Sequence, residues 1–226
     1  VSEKQDNFAE ARERLIEEIR LEARETAGFL GRDTLDPRVL DAIRRVPREA
    51  FVTSDKRDLA YINRPLPIGH GQTISQPFVV AVMTDMLALT SSARVLEVGT
   101  GCGYQTAILA ELAERVFTIE VVAPLGRAAR ERLEALGYAN IECRIGDGGL
   151  GWPEKAPFDG IVVTAAAPSR PDRLIDQLAP GGRMAVPIGR SGFTQTLTLI
   201  EKDAEGRVRE TPRLPVAFVP LVEKRW

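Results

Sequence analysis

The stretch Arg94–Ala113 constrains this chain more than any other. Val95-Leu96-Glu97-Val98 is a short apolar run of strand character. Gly99, Gly101 and Gly103 follow, and from Gln105 onward Ala107, Ile108, Leu112 and Ala113 recur at helical spacing. Strand, glycine turn and helix together open a nucleotide-binding α/β unit. Glycines let the backbone adopt positive φ and pass close to a ligand, because no Cβ stands in the way.

The glycine spacing is Gly-x-Gly-x-Gly and not the Gly-x-Gly-x-x-Gly of dinucleotide sites. Glu97 precedes the first glycine, and a carboxylate there repels a pyrophosphate but attracts a cation. Glu120 ends the next strand-like run, Val116–Ile119, the position at which such folds set a carboxylate against ribose hydroxyls. Asp147, in the turn Gly146–Gly149 after the strand Ile141–Ile145, falls on the same rim. Three acids then face a positively charged nucleoside ligand, which points to S-adenosylmethionine, with its sulfonium and ammonium, over NAD. A solvated glycine turn without a ligand is the plainer alternative.

The rest of the chain reads as one globular unit. Its 226 residues suit one domain or a domain with an extension, and 44% apolar residues allow a full core. The formal charge of −2 argues against a nucleic-acid surface. Two cysteines, Cys102 and Cys143, form neither a disulfide framework nor a zinc site and fit a reducing cytoplasm. No run reaches membrane-spanning length, and the charged N-terminus lacks the apolar core of a secretion signal.

Phe8, Ala11, Leu15, Ile19 and Ala23 predict an amphipathic helix packed on the domain, broken by Gly28 and Gly31. Asp36-Pro37 starts a second helix that stops before Pro47. Leu66–Phe78 is too rich in Gly and Pro to be regular structure, and an all-round apolar helix, Pro77–Leu89, follows it. Ser75 reads as that helix's N-cap, either a structural cap or part of a carboxylate site. His70, the only histidine, is either a general base or a structural hydrogen-bonder. Further on, Pro124–Leu136 reads as a helix and Asp159–Thr164 as a buried strand. Pro171–Leu178 reads as a helix, Pro180–Gly182 as a turn and Met184–Pro187 as a strand. Thr194–Ile200 and Val208 onward form an antiparallel hairpin at the sheet edge.

These residues resemble the protein-L-isoaspartate (D-aspartate) O-methyltransferase family from about Pro37 to Leu221. The likeness is carried by Arg45-Val-Pro-Arg48 with Phe51-Val52, and by Pro65-Leu-Pro-Ile-Gly-His-Gly-Gln-Thr-Ile-Ser-Gln-Pro77, its most specific signature. Leu96–Tyr104, Gly146–Gly148 with Gly151-Trp152, Val163–Pro168, Pro180–Arg183 and Phe218–Leu221 match as well.

The resemblance implies a Rossmann-like class I S-adenosylmethionine-dependent methyltransferase. Its sheet is mostly parallel, with an antiparallel C-terminal edge and an N-terminal helical extension. One domain spans residues 1–226: the helical extension (1–64), the acceptor loop and buried helix (65–92), the cofactor-binding core (93–190) and the C-terminal hairpin and tail (191–226). It also implies that the last strands are ordered differently from those of other methyltransferases. The implied reaction moves a methyl from S-adenosylmethionine, leaving S-adenosylhomocysteine, to the free α-carboxylate of L-isoaspartyl, or D-aspartyl, residues in damaged proteins. The ester then cyclises to a succinimide, which starts repair. Such an acceptor needs no general base.

By the same analogy Ser75 is the catalytic residue, and either hydrogen-bonds the acceptor carboxylate or orders the loop that does. Thr73, Ile74, Glu97, Gly99, Gly101, Gly103, Glu120, Asp147 and Gly148 hold the cofactor. Val216, Phe218 and Val219 offer backbone groups to the peptide by β-augmentation. No metal, nucleic acid or membrane is expected, and the protein is expected to act as a cytoplasmic monomer. Phe78 and Val121 depart from the family, which often has Tyr or His and Arg there. A methyltransferase acting on a tRNA base or small molecule, and a cofactor-binding module without catalysis, are the competing expectations.

Overall fold

The computed structural model describes residues 2–190 and 192–221, with side chains from Phe8 onward. Helix α1 (Ser2–Glu25) buries Leu15, Ile16, Ile19 and Ala23 and turns its Glu and Arg residues outward. The short α2 (Ala27–Leu30) closes on Gly31 at φ 76°. Helix α3 (Pro37–Arg45) starts as its sequence predicts: the Asp36 carboxylate accepts from Arg38 N–H at 2.8 Å, and Val39, Leu40 and Ile43 face the core.

The Gly- and Pro-rich stretch after it is regular after all. Strands β1 (Leu66–Gly69) and β2 (Gln72–Ile74) form an antiparallel hairpin. Gly69, His70 and Gly71 all take positive φ, which turns the chain within three residues. Leu66, Ile68 and Ile74 anchor it to the core. Helix α4 (Pro77–Met86) is buried at every position, as its all-round apolar sequence requires.

Next come β3 (Arg94–Val98), α5 (Tyr104–Ala110), β4 (Arg115–Glu120), α6 (Ala123–Ala135), β5 (Ile141–Ile145) and β6 (Phe158–Val163). The helix expected over Pro171–Leu178 is a single turn, α7 (Asp172–Ile175), because Leu178 already belongs to β7 (Leu178–Ile188), opposite Phe158. Pro180-Gly181-Gly182 is an irregularity inside that strand and not a turn before it: the register passes from Phe158↔Leu178 to Gly160↔Arg183. Strands β8 (Gln195–Lys202) and β9 (Val208–Val216) complete the sheet.

The sheet order is β5-β4-β3-β6-β7-β8-β9. The first five run parallel; β8 is antiparallel to β7, and β9 to β8. The antiparallel edge is thus one reversed strand, β8, with β9 pointing the same way as the parallel set. Strand periodicity splits the core in two. Val95, Val116, Val162 and Ala185 face the helices α1, α3, α4 and α5, whereas Leu96, Phe117, Ile161 and Met184 face the opposite layer with Trp152 and Leu174. No helix among the described residues is long and apolar enough to cross a membrane.

Candidate active site

A cleft opens at the carboxyl ends of β3, β4 and β6, where the sheet order changes direction. Its floor is the turn after β3. Gly99 takes φ 97°, and a Cβ there would lie 2.3 Å from Thr164 Oγ1, so only glycine fits. Thr164, at the end of β6, donates its hydroxyl to Gly99 O at 2.6 Å. Glu120, at the end of β4, is 6% exposed. Its Oε2 accepts from Gly101 N–H at 2.7 Å and its Oε1 from Val122 N–H at 2.8 Å. These bonds fix the carboxylate and leave lone pairs toward the cleft. Val98, Ile119, Val121 and Val122 form an apolar wall. Gly148 completes it, since a Cβ there would meet Val98 Cγ1 at 2.4 Å. Thr73, Ile74 and Ser75 of the hairpin and Val219–Leu221 of the tail close the mouth.

Glu120 is the one carboxylate in this lining, and no Lys or Arg is among the described residues there. The cleft therefore suits a ligand with hydroxyls, a flat apolar ring and positive charge, and gives a pyrophosphate no counter-ion.

The expected rim of three acids is one acid. Glu97 is fully buried and outside the lining. Strand alternation turns it to the α5 side of the sheet, where Thr106 and Thr118 both donate hydroxyls to its Oε2, the latter at 2.6 Å. Burial pushes its carboxyl up to about 8, so it keeps its proton at neutral pH and offers no negative charge. Asp147 stands beside the cleft but does not line it; its Oδ1 accepts from Gly149 N–H at 2.9 Å and caps the turn. Gly103, at φ 91°, precedes α5 and does not itself line the cleft; a Cβ there would crowd Leu133 Cδ1 at 3.2 Å.

A second cleft joins the first at Thr73, Ser75, Thr164 and Val219. Phe78, Val79, Leu214, Val216 and Phe218 give it apolar walls. Ser75 is not the N-cap of α4; Gln76 is, and no side-chain cap bond forms. The Ser75 hydroxyl therefore stays at the junction of the two clefts. The tail has fewer backbone groups for β-augmentation than expected, because Phe218 N–H already donates to Gln195 Oε1 at 2.7 Å and Val219 O accepts from Ala166 N–H at 2.8 Å. His70 sits exposed at the hairpin tip, at φ 52°, and lines neither cleft.

Several residues that shape the site were not singled out as site residues by the sequence. Arg48 is 0% exposed and donates to Ala60 O at 2.8 Å and Ser75 O at 2.9 Å, so a buried cation props the acceptor turn from below. Its guanidinium stacks 4.7 Å from the Tyr104 ring. Asn63 Oδ1 accepts from Phe78 N–H at 3.0 Å at the start of α4. Glu22 of α1 reaches the second cleft, and burial raises its carboxyl above the usual range. Arg48 and Tyr104 lie within motifs that match the family, whereas Asn63 and Glu22 lie outside them.

Charge and topology place the chain in the Rossmann-like class I methyltransferases that use S-adenosylmethionine: a parallel nucleotide-binding sheet whose ligand cleft has, among its described lining residues, one fixed acid and no cation. Within that class it belongs to the protein-L-isoaspartate(D-aspartate) O-methyltransferase family, whose profile matches residues 28–226. It is 56% identical over 216 residues to protein-L-isoaspartate O-methyltransferase 2 of Syntrophobacter fumaroxidans, covering 96% of this chain and 87% of that one. A solved protein-L-isoaspartate O-methyltransferase superposes with TM-score 0.79 at 27% identity; the match covers 92% of this chain and 65% of that protein. A Plasmodium falciparum candidate for the same activity, solved with S-adenosyl-L-homocysteine, superposes with TM-score 0.70 at 26% identity over 84% of this chain and 92% of that one.

Proposed function

We infer that this chain methylates the free α-carboxylate of L-isoaspartyl residues in proteins, with S-adenosylmethionine as donor. One observation carries the reading: the two clefts meet at a serine that caps no helix, and among its described lining residues the donor cleft holds an acid but no cation. Bound in that cleft, S-adenosylmethionine supplies an electrophilic methyl group on sulfur. In this reading Glu120 accepts from the ribose hydroxyls, Gly99 and Gly101 let the backbone approach, and Thr73 and Ile74 cover the donor. Gly148, with Asp147 beside it, meets the adenine. The acceptor is already an anion at neutral pH, so no residue has to remove a proton. Ser75 donates its hydroxyl to one acceptor oxygen and holds the other toward the donor cleft. Phe78, Val79, Val216 and Phe218 shed water from the nucleophile, and Val219 spans the junction. Action as a monomer, a cytoplasmic location and the lack of nucleic-acid or membrane partners belong to this proposal; the net charge of −2 supports the part concerning nucleic acid.

Labelled-methyl transfer to two peptides that differ only in an isoaspartyl or aspartyl linkage tests it. The isoaspartyl peptide is methylated and its twin is not. Ser75→Ala lowers kcat/KM by about ten- to a hundredfold, the value of one hydrogen bond to a charged group. Equal labelling of both peptides, or an unchanged rate in Ser75→Ala, overturns the assignment.

A further inference from the structure

The acceptor cleft contains a single acid or base among its described lining residues, and that residue comes from the N-terminal helix. Glu22 lines the cleft with Ser75 and Gln76 but does not line the donor cleft. It lies before the region that the family profile matches, 28–226. Its carboxylate is held by neutral amides: Asn63 Nδ2 donates to Oε2 at 2.7 Å, and Gln76 Nε2 lies 3.2 Å from both oxygens. Glu18 and Glu25, on neighbouring turns of the same helix, add to the negative potential at this position. Two amide donors leave further acceptor capacity on the carboxylate.

This placement is unhelpful to the reacting group itself, because an anionic acceptor gains nothing from a second anion in its cleft. The acid can favour only what lies beside the acceptor. Resting on the acceptor assignment above, we propose that Glu22 selects among isoaspartyl sites by charge: it favours a basic residue next to the isoaspartyl and disfavours an acidic one. Holding Gln76 and Asn63 fixes the carboxylate in one place, so the selection depends on position and does not act as a diffuse field.

The test measures kcat/KM of the full chain, at mildly alkaline pH where carboxylates are ionised. The peptides are isoaspartyl peptides identical except for one neighbour, on either side, made Lys, Gln or Glu. The expected result is a Lys-over-Glu preference of about fivefold at one of these positions, the scale of a single partly solvated charge pair, shrinking as salt is added. Glu22→Gln, which keeps a side chain able to meet the same amides, brings the ratio close to one, and Glu22→Lys reverses it. Each ratio is internal to one variant, so altered folding or overall rate does not affect it. Methylation of the Gln peptide with no charge preference at any position, or a ratio unchanged in Glu22→Gln, overturns this inference alone. Failure of the wild-type chain to methylate any of the isoaspartyl peptides brings down the acceptor assignment and this inference with it.

Discussion

Glu97 and Glu120 carry the same carboxyl group, and the fold uses them in opposite ways. Glu120 ends its strand, so its side chain clears the sheet and reaches the glycine turn as a fixed acceptor. Glu97 lies inside β3, directly opposite Thr118 of β4, under a layer of helix. Its folded carboxyl titrates at about 8 against an ordinary 4.5, because desolvation disfavours the charge. The unfolded chain therefore loses this proton first as pH rises, and stability from this group falls between about 4.5 and about 8. Glu97→Gln, which does not titrate, is expected to gain on the wild type across that window, by at most ~1.4 kcal/mol per pH unit, the limit for one proton. Urea unfolding of both proteins at several pH values checks it; parallel stability curves refute the buried, protonated state. The motif marks Glu97 and Glu120 alike as acids near a turn. Which one faces the ligand depends on strand parity and on what covers each face.

At the scale of elements, the acceptor turn is short and has little support of its own. It joins a two-stranded hairpin to a buried helix without a side-chain cap, and its rigidity comes from elsewhere: Arg48 beneath it, Asn63 beside it and Glu22 across from it. Arg48 is the strongest of these, a buried guanidinium whose bonds are to backbone carbonyls. Arg48→Met removes those donors and leaves buried carbonyls without partners, so it is expected to cost about 2–4 kcal/mol of stability. It is also expected to raise KM for an isoaspartyl peptide more than it lowers kcat. Denaturant midpoints and steady-state kinetics separate the two effects, and a loss of stability with unchanged KM would leave Arg48 a core residue only. The hairpin itself is hard to read in advance. Gly-His-Gly signals a loop by composition, yet three consecutive positive φ angles make it the tip of a strand pair.

For the whole molecule, the chief consequence of the sheet order is that remote parts of the chain converge on one junction. The hairpin at 66–74, the ends of β3, β4 and β6, and the tail at 216–221 meet around the two clefts. A ligand in the donor cleft therefore ties N-terminal, central and C-terminal segments together. At a hundredfold excess over its Kd, S-adenosylhomocysteine is expected to stabilise the fold by ~2.7 kcal/mol, raising Tm by about 5–10 °C for a chain of this length. NADH is expected to give no shift, since its pyrophosphate meets Glu120 and no cation among the described lining residues. Differential scanning calorimetry with each ligand decides it; stabilisation by NADH alone would refute the reading of the donor cleft.

Local chemistry settled much of this protein before any contact was known. The turn at Gly99, the cap at Asp36, the buried helix after Pro77 and the run of strands from Arg94 follow from φ preference, capping and apolar periodicity, and all act within a few residues. The order β4-β3-β6-β7, the inward turn of Glu97, the arrival of Glu22 and Arg48 at the acceptor turn and the release of Ser75 from capping were decided only by tertiary structure. Each depends on residues distant in the chain becoming neighbours, and burial and charge at a site are set by those neighbours.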